Sequence, residues 1–243
     1  MCNVNLSAEQ SSGKVLSANL IKLSMNIVNL WASGLEQDKP REMGAMLAEH
    51  HNPYINKRFS LKLIECADLA RFCRWMNDPR VEQFWQQAWS EEKQWQYLSE
   101  KLADAHTLPL IGFLDDQPFA YLEVYWAAKD KLAQHYDAAP YDRGIHLLVG
   151  EQSCRGPENF RGWMSSLSHL IYQSQPQTQR IVLEPRADNA RLMMRMAELG
   201  YDSQFEFDFP HKRAALLMGT RAHFYEQIFT AFGERKSPSG HLA

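Results

Sequence analysis

The stretch from Arg143 to Glu158 constrains this chain more than any other. It reads Arg143-Gly-Ile-His-Leu-Leu-Val-Gly150, then Gln152-Ser-Cys-Arg-Gly-Pro-Glu158. Between Gly144 and Gly150 the run is apolar except for His146, as in a strand covered on both faces. Gly156 frees the backbone for a tight turn, Pro157 is preset for a first helical position, and Glu158 suits a helix N-terminus. From Phe160 onward, Met164, Leu167, Leu170 and Ile171 recur at helical steps, which predicts an amphipathic helix. A buried strand feeding a glycine loop and a helix is an α/β unit. The unpaired amides at its helix start form an anion seat, with the Arg155 cation beside them.

A second unit follows in the same order. Arg180-Ile-Val-Leu-Glu184 is a short strand, Pro185-Arg-Ala-Asp-Asn189 turns, and a helix runs through Leu199 to the stop Gly200-Tyr201.

Together the two units resemble the Gcn5-related N-acetyltransferase superfamily. That resemblance implies an α/β fold, with a mixed twisted sheet of about seven strands and helices on both faces. It also implies acyl-coenzyme A as co-substrate, with its pyrophosphate on the loop and its pantetheine arm between the two strands. Carried onto this chain, the cofactor-binding positions are Leu148, Val149, Gly150, Arg155, Gly156, Pro157 and Asn189. The loop departs locally from the family's Gln/Arg-x-x-Gly-x-Gly/Ala, since it reads Gln152-Ser-Cys-Arg-Gly-Pro157 here. Met196 stands where the family often has a tyrosine acid.

Further motifs resemble one branch, the hydroxamate-siderophore acyltransferases. They are Trp75-Met-Asn-Asp-Pro-Arg-Val81, Pro118-Phe-Ala-Tyr-Leu-Glu-Val-Tyr-Trp126, Tyr141-Asp-Arg-Gly-Ile-His146, Glu184-Pro-Arg-Ala-Asp-Asn189 and Pro210-His-Lys-Arg-Ala214, within residues 59–229. The branch acylates N-hydroxylated amines from an acyl-CoA and implies catalysis by His146 and Glu184. A hydroxylamino nitrogen is much less basic than an alkylamine and arrives already nucleophilic. His146 as a neutral imidazole is therefore expected to serve as general base in a direct transfer. Glu184 would orient that ring or hold the hydroxylamine, and a backbone amide at a strand bulge near Leu148 would polarise the carbonyl. A lone core histidine is ordinarily a packing residue; its place just before the phosphate loop favours the catalytic reading. Cys154 as an acyl-carrying thiol is the competing route, with no histidine motif to activate it.

On the acceptor side, Glu123, Tyr125 and Trp126 end an alternating strand, and His211 and Lys212 sit in a later hairpin loop. Alternation sends Tyr121, Glu123 and Tyr125 to one face, as either a ligand wall or a solvated surface. Lys212 is a candidate partner for a substrate carboxylate or a succinyl group.

Composition bounds the rest. A chain of 243 residues with a net charge of −3 and dispersed basic residues predicts one catalytic domain and no nucleic-acid partner. Cys2, Cys66, Cys73 and Cys154 lack metal spacing, so no metal is expected, and a reducing cytoplasm fits. No segment reads as a signal or a membrane span. Residues 1–55 are expected as an N-terminal extension, residues 56–233 as the acyltransferase domain and residues 234–243 as a disordered tail. In the extension Leu16, Leu20, Leu23, Ile27 and Leu30 form a helical stripe, a candidate homodimer contact or a helix docked on its own domain. Residues 43–50 read as a short helix. Two other functions stay open: a general amine or aminoglycoside acetyltransferase, which predicts a wide acidic cleft, and a non-catalytic acyl-CoA-binding scaffold, which predicts a degraded site.

Overall fold

The computed structural model describes residues 43–233. The stripe at residues 16–30 and the tail at 234–243 lie outside the described residues. Eight strands form one mixed sheet in the order β1-β2-β3-β4-β5-β6-β8-β7. They are β1 Met46–Asn52, β2 Lys57–Leu63, β3 Thr107–Leu114, β4 Gln117–Trp126, β5 Arg143–Val149, β6 Arg180–Leu183, β7 Asp202–Phe209 and β8 Lys212–Thr220. Neighbours run antiparallel except β5 and β6, which are parallel and pair only at Arg143 with Ile181 and Gly144 with Val182. Beyond that point the two strands separate.

Helices cover both faces because the strands are apolar on both. On one side, Phe72, Trp75 and Met76 of α1 (Leu69–Met76), Val81 of α2 (Pro79–Trp85) and Leu98 of α3 (Glu91–Ala103) pack on Ile111, Tyr121 and Leu148. On the other, Trp163, Leu167 and Ile171 of α4 (Pro157–Ser174) pack on Leu110, Leu122, Val124 and Ile145. Adjacent residues in one strand thus enter different cores, the period-two arrangement of a pleated sheet. Each such large side chain stabilises the fold by roughly 1.5–3 kcal/mol. Helix α5 (Ala190–Ala197) follows β6, and a closing helix over residues 221–232, α6, contains one π-helical stretch, Phe224–Ile228. Among the described residues no helix is long and apolar enough to cross a membrane.

One local expectation is corrected. Residues 43–50 do not form a helix: Met46–Asn52 is the edge strand β1, so the sheet takes in part of the segment assigned to an extension ending at residue 55. Its inward polar residues obscured the strand pattern. Asn52 is fully buried and its amide donates to Gly162 O, Ser165 Oγ and Ser166 Oγ of α4, while His50 Nδ1 lies 2.9 Å from Ser166 Oγ. A further short helix, α2, lies outside the elements read from the sequence. Asp78 caps it through Arg80 N with Pro79 in the first turn, but it stops at Gln86 in a left-handed conformation (φ 54°), without the glycine that usually announces such an end.

Candidate active site

Where β5 and β6 separate, a cleft of about 1480 Å³ opens, lined by both strands, α2, the start of α4 and the turn into α5. His146 and Glu184 meet at its apex. In parallel register each lies two residues past the last backbone pair, Gly144 with Val182. The His146 Nε2 is 2.6 Å from Glu184 Oε1, and its Nδ1 is 2.9 Å from Glu123 Oε2. Glu123 faces His146 directly across the β4–β5 ladder, the cross-strand position whose side chains touch.

Two further features lock the apex. A Cβ on Gly144 would lie 2.0 Å from the Tyr125 ring, so glycine there lets Tyr125 lie across β5 and donate its hydroxyl to Glu184 Oε2 at 2.9 Å. Glu123 in turn accepts the hydroxyls of Tyr97 and Tyr121, and Lys101 Nζ stands 3.1 Å from its Oε2. Lys212 Nζ donates to Glu184 O at 2.6 Å and lies 3.5 Å from its Oε1. Charges therefore alternate from Lys101 through Glu123, His146 and Glu184 to Lys212.

The electrostatics run against the expectation of a neutral base. Burial disfavours a charged imidazole, but the two carboxylates, Glu184 foremost, override it and push the His146 pKa up to about 10. The two flanking carboxylates favour the imidazolium, in which both ring N–H groups donate, one to each. Burial likewise opposes ionisation of Glu123, yet His146, Lys101 and Tyr97 hold its pKa down at about 2. Against the same burial penalty, His146, Lys212 and Tyr125 keep Glu184 well below the usual carboxylate range.

The acceptor-side residues divide. Glu123 and Tyr125 are buried and committed to the apex, so neither forms the ligand wall nor the solvated surface that their alternation suggested. Trp126, one residue on, points to the opposite face of the sheet, as period two requires. Its ring carries the Arg143 guanidinium at 3.2 Å and does not line the cleft. His211 and Lys212 do line it. Lys131, Lys101, Tyr97, Trp85 and Arg80 line it as well and were not read from the sequence. Asp78-Pro79 signalled the helix start that presents Arg80; nothing local to Tyr97 or Lys101 signals a carboxylate 26 or 22 positions away.

The anion seat is tested by what surrounds it. Gly156 has φ +112°, and a Cβ there would meet nothing within 4 Å, so the loop faces open space. No side chain caps the start of α4, an 18-residue helix, which leaves first-turn amides for an anion. Asp78 lies 2.5 Å from Arg80 and 3.6 Å from Arg155, one carboxylate shared by two guanidiniums. Eight Lys and Arg side chains line the cleft against three Asp and Glu. These features fit the diphosphate of an acyl-CoA.

Not every expected contact survives. Gly150 is pressed against Trp75, where a Cβ would approach to 2.2 Å, and its N–H donates to Phe119 O at 2.8 Å. Its amide is thus unavailable to a cofactor. That bond also sets the phase of the antiparallel ladder: Leu148 and His146 turn their amides to β4, and Leu147 and Val149 turn theirs to the gap. The β4–β5 register runs without a bulge, so the expected amide donor at Leu148 shifts to its neighbours. Arg155 donates to Val149 O at 2.8 Å and Gly150 O at 3.2 Å, pinning the loop as well as charging it. The Asn189 Oδ1 accepts from Leu192 N, capping α5 at the cleft edge. Met196 is buried and lines no part of the cleft. Cys154 lines it, with Ser153 Oγ 3.9 Å from its sulfur. Among the described residues no group of three metal-binding side chains occurs.

Comparison with known proteins agrees with this geometry. An acetyltransferase (GNAT) domain matches residues 65–209. The N(6)-hydroxylysine O-acetyltransferase of Escherichia coli is 45% identical over 193 residues, covering 79% of this chain and 61% of that protein. A hydroxyornithine transacylase of Beauveria bassiana, specific by name for cis-anhydromevalonyl coenzyme A, is 38% identical over 186 residues, 75% of this chain and 41% of its own length. The chain thus spans about 61% and 41% of the length of these two relatives, less than two thirds of either. Among solved structures, an uncharacterised Bacillus halodurans protein superposes with TM-score 0.73 at 24% identity, covering 78% of this chain and 97% of that one. An aminoglycoside acetyltransferase bound to coenzyme A gives 0.62 at 24%, covering 70% and 98%; both likenesses establish the fold. The chain belongs to the GNAT acetyltransferase family.

Proposed function

We propose that this chain is an acyl-CoA-dependent N-acyltransferase that converts an N-hydroxylated amine, N6-hydroxylysine or an N-hydroxydiamine, to a hydroxamate in cytoplasmic siderophore biosynthesis. The observation that carries the reading is the His146–Glu184 ion pair at the apex of a cationic cleft. The relatives named for hydroxylysine and hydroxyornithine support the acceptor class. A cleft rich in Lys and Arg opposes a polycationic aminoglycoside, and the intact apex opposes a scaffold without catalysis.

The residues suggest a direct transfer. Acyl-CoA would be held by the α4 start, Arg80 and Arg155, and would supply the thioester. The gap-facing amides of Leu147 and Val149 are placed to polarise a carbonyl. The hydroxylamine nitrogen attacks unprotonated, so a weak base suffices for the proton it sheds after attack. Glu184 accepts that proton, His146 gives its Nε2 proton to the departing sulfur, and Glu184 then reprotonates His146. This arrangement dispenses with a tyrosine acid at position 196. Acetyl and succinyl donors both remain within the reading, with Lys131 and Lys212 as partners for a terminal carboxylate.

Purified protein should be offered N6-hydroxylysine, N-hydroxycadaverine and N-hydroxyputrescine with each donor, beside the parent amines and kanamycin. Thiol release and mass spectrometry of the product should show hydroxamates, with strong preference over the parent amines. Equal turnover of lysine, or preference for kanamycin, would overturn the reading.

A further inference from the structure

Glu123 is fully buried and saturated. Its Oε1 accepts the hydroxyls of Tyr97 and of Tyr121, the latter at 2.7 Å, and its Oε2 faces Lys101 Nζ at 3.1 Å and His146 Nδ1 at 2.9 Å. A carboxylate offers about four acceptor sites, so nothing is left for a ligand. The supply of donors is built into two elements. Tyr97 and Lys101 are four residues apart on α3, hence on one face, and Tyr121 precedes Glu123 by two on β4. Of the partners of this buried carboxylate, His146 is the one that also holds Glu184, at 2.6 Å, and its side chain is 29% exposed in the cleft.

We propose that Glu123 is a positioning residue that commits His146 Nδ1 as a permanent donor, so that Nε2 alone exchanges a proton with Glu184 and the reacting groups. The inference rests on the acyltransferase reading and deepens it. As the C–N bond forms, the nitrogen's proton passes to Glu184; as the C–S bond breaks with its electron pair going to sulfur, the Nε2 proton passes to sulfur; Glu184 then returns its proton to Nε2. Without Glu123 the ring could rotate or present either nitrogen. The groups facing His146 from the surrounding elements are Glu123, Tyr121 and Tyr125 from β4, Tyr97 and Lys101 from α3, Trp85 from α2, Glu184 after β6 and Lys212 from β8. Of these, only Glu123 binds Nδ1.

Nitrogen-15 NMR of the imidazole in wild-type protein tests this without turnover. Both ring nitrogens should stay protonated from pH 6 to 9, and Nε2 should lose its proton first above that range. Titration near the ordinary histidine value, or first loss from Nδ1, would overturn the inference. In Glu123→Gln the His146 titration should move toward neutral pH. With it the alkaline limb of kcat/KM should shift and kcat should fall about 10²–10⁴-fold, at nearly unchanged KM for acyl-CoA. Glu123→Asp should recover part of the titration shift. A folded Glu123→Gln variant whose titration and pH profile match wild type would make Glu123 a packing ion only. The NMR result is independent of any acceptor, so absent hydroxamate formation sinks the acyltransferase reading and leaves the Nδ1 assignment standing.

Discussion

His146 Nε2 and Glu184 Oε1 stand 2.6 Å apart across the gap where β5 and β6 stop pairing. The backbone ladder ends at Gly144 and Val182, and two residues later a side-chain ion pair spans what the main chains leave open. Parallel strands that part after two pairs expose amides on their inner edges, and the opening takes its charge from residues that neither strand could supply alone.

Glu184→Gln should lower kcat by about 10²–10⁴-fold, the range of a lost acid-base group, with little change in KM for the thioester. The amide keeps the shape of the carboxylate but cannot accept the nitrogen's proton. Steady-state kinetics on the hydroxylated acceptor checks this, and an unchanged kcat would remove Glu184 from proton transfer.

The apex also links stability to pH. The His146 pKa is raised from 6.5 to about 10, so its stabilisation is fully present below 6.5 and lost as pH rises through about 10. The Glu123 pKa is lowered from 4.5 to about 2, so its share is present above 4.5 and lost as pH falls through about 2. Melting temperature measured from pH 6.5 to 10 should therefore fall more steeply for wild type than for His146→Gln. Parallel curves would show that the ring carries no linked proton.

Much of this site was legible because local chemistry announces it. Gly156-Pro157 after an apolar run can do little but turn into a helix, and Pro185 to Asn189 after a short strand does the same. Period two put Tyr121, Glu123 and Tyr125 on one face correctly, yet a polar stripe ordinarily means solvent. Here α3 brings Tyr97 and Lys101 over it, a contact with no local signal. The charge state of His146 has no local signal for the same reason: it depends on Glu123 and Glu184, each delivered by another strand. Strand β1 carries a weak signal because Leu47 and Ala48 are its buried apolar residues and hydrogen bonds from His50 and Asn52 hold the rest of its inner side.

The two loop glycines should fail in different ways. Gly150→Ala drives a methyl into the Trp75 indole, 2.2 Å away, and should destabilise the fold by about 1–3 kcal/mol as overpacking does. Gly156→Ala has space but an unfavourable φ of +112°. It should distort the anion seat and raise KM for acyl-CoA by about tenfold with a smaller change in melting temperature. Thermal denaturation and KM measured on both variants separate the two effects, and equal melting shifts would contradict the distinction.

Arg80→Ala and Arg155→Ala should each raise KM for acyl-CoA by about three- to tenfold at low salt, and by less at high salt, since the contacts to a diphosphate are charge-assisted and screened. With both guanidiniums sharing Asp78, removing one tightens the carboxylate's hold on the other, so each single variant already loses part of its partner's contribution and the double variant should lose less than the product of the singles. The kcat should stay within about twofold, because neither residue touches the apex. A KM insensitive to salt and to both substitutions would place the diphosphate elsewhere.

Asn52→Ala should destabilise the protein without touching catalysis. The Asn52 Nδ2 donates to Phe232 O at 2.7 Å and Gly162 O at 2.9 Å, and its Oδ1 accepts from Tyr54 N at 3.0 Å and Ile55 N at 3.2 Å. One buried amide thus ties β1 to the following turn, to α4 and to the end of α6. The approach is close: a Cβ on Gly162 would come within 2.6 Å of Ile55. Alanine would leave the part-buried Tyr54 and Ile55 amides without their acceptor, while Ser165 Oγ still reaches Gly162 O and Phe232 O, at a cost of about 1–3 kcal/mol for each unsatisfied group. Urea denaturation should show a lower midpoint at unchanged m-value. Since Asn52 lies outside the cleft lining, kcat and KM should match wild type. A loss of turnover at unaltered stability would mean that this corner reaches the active site through α4.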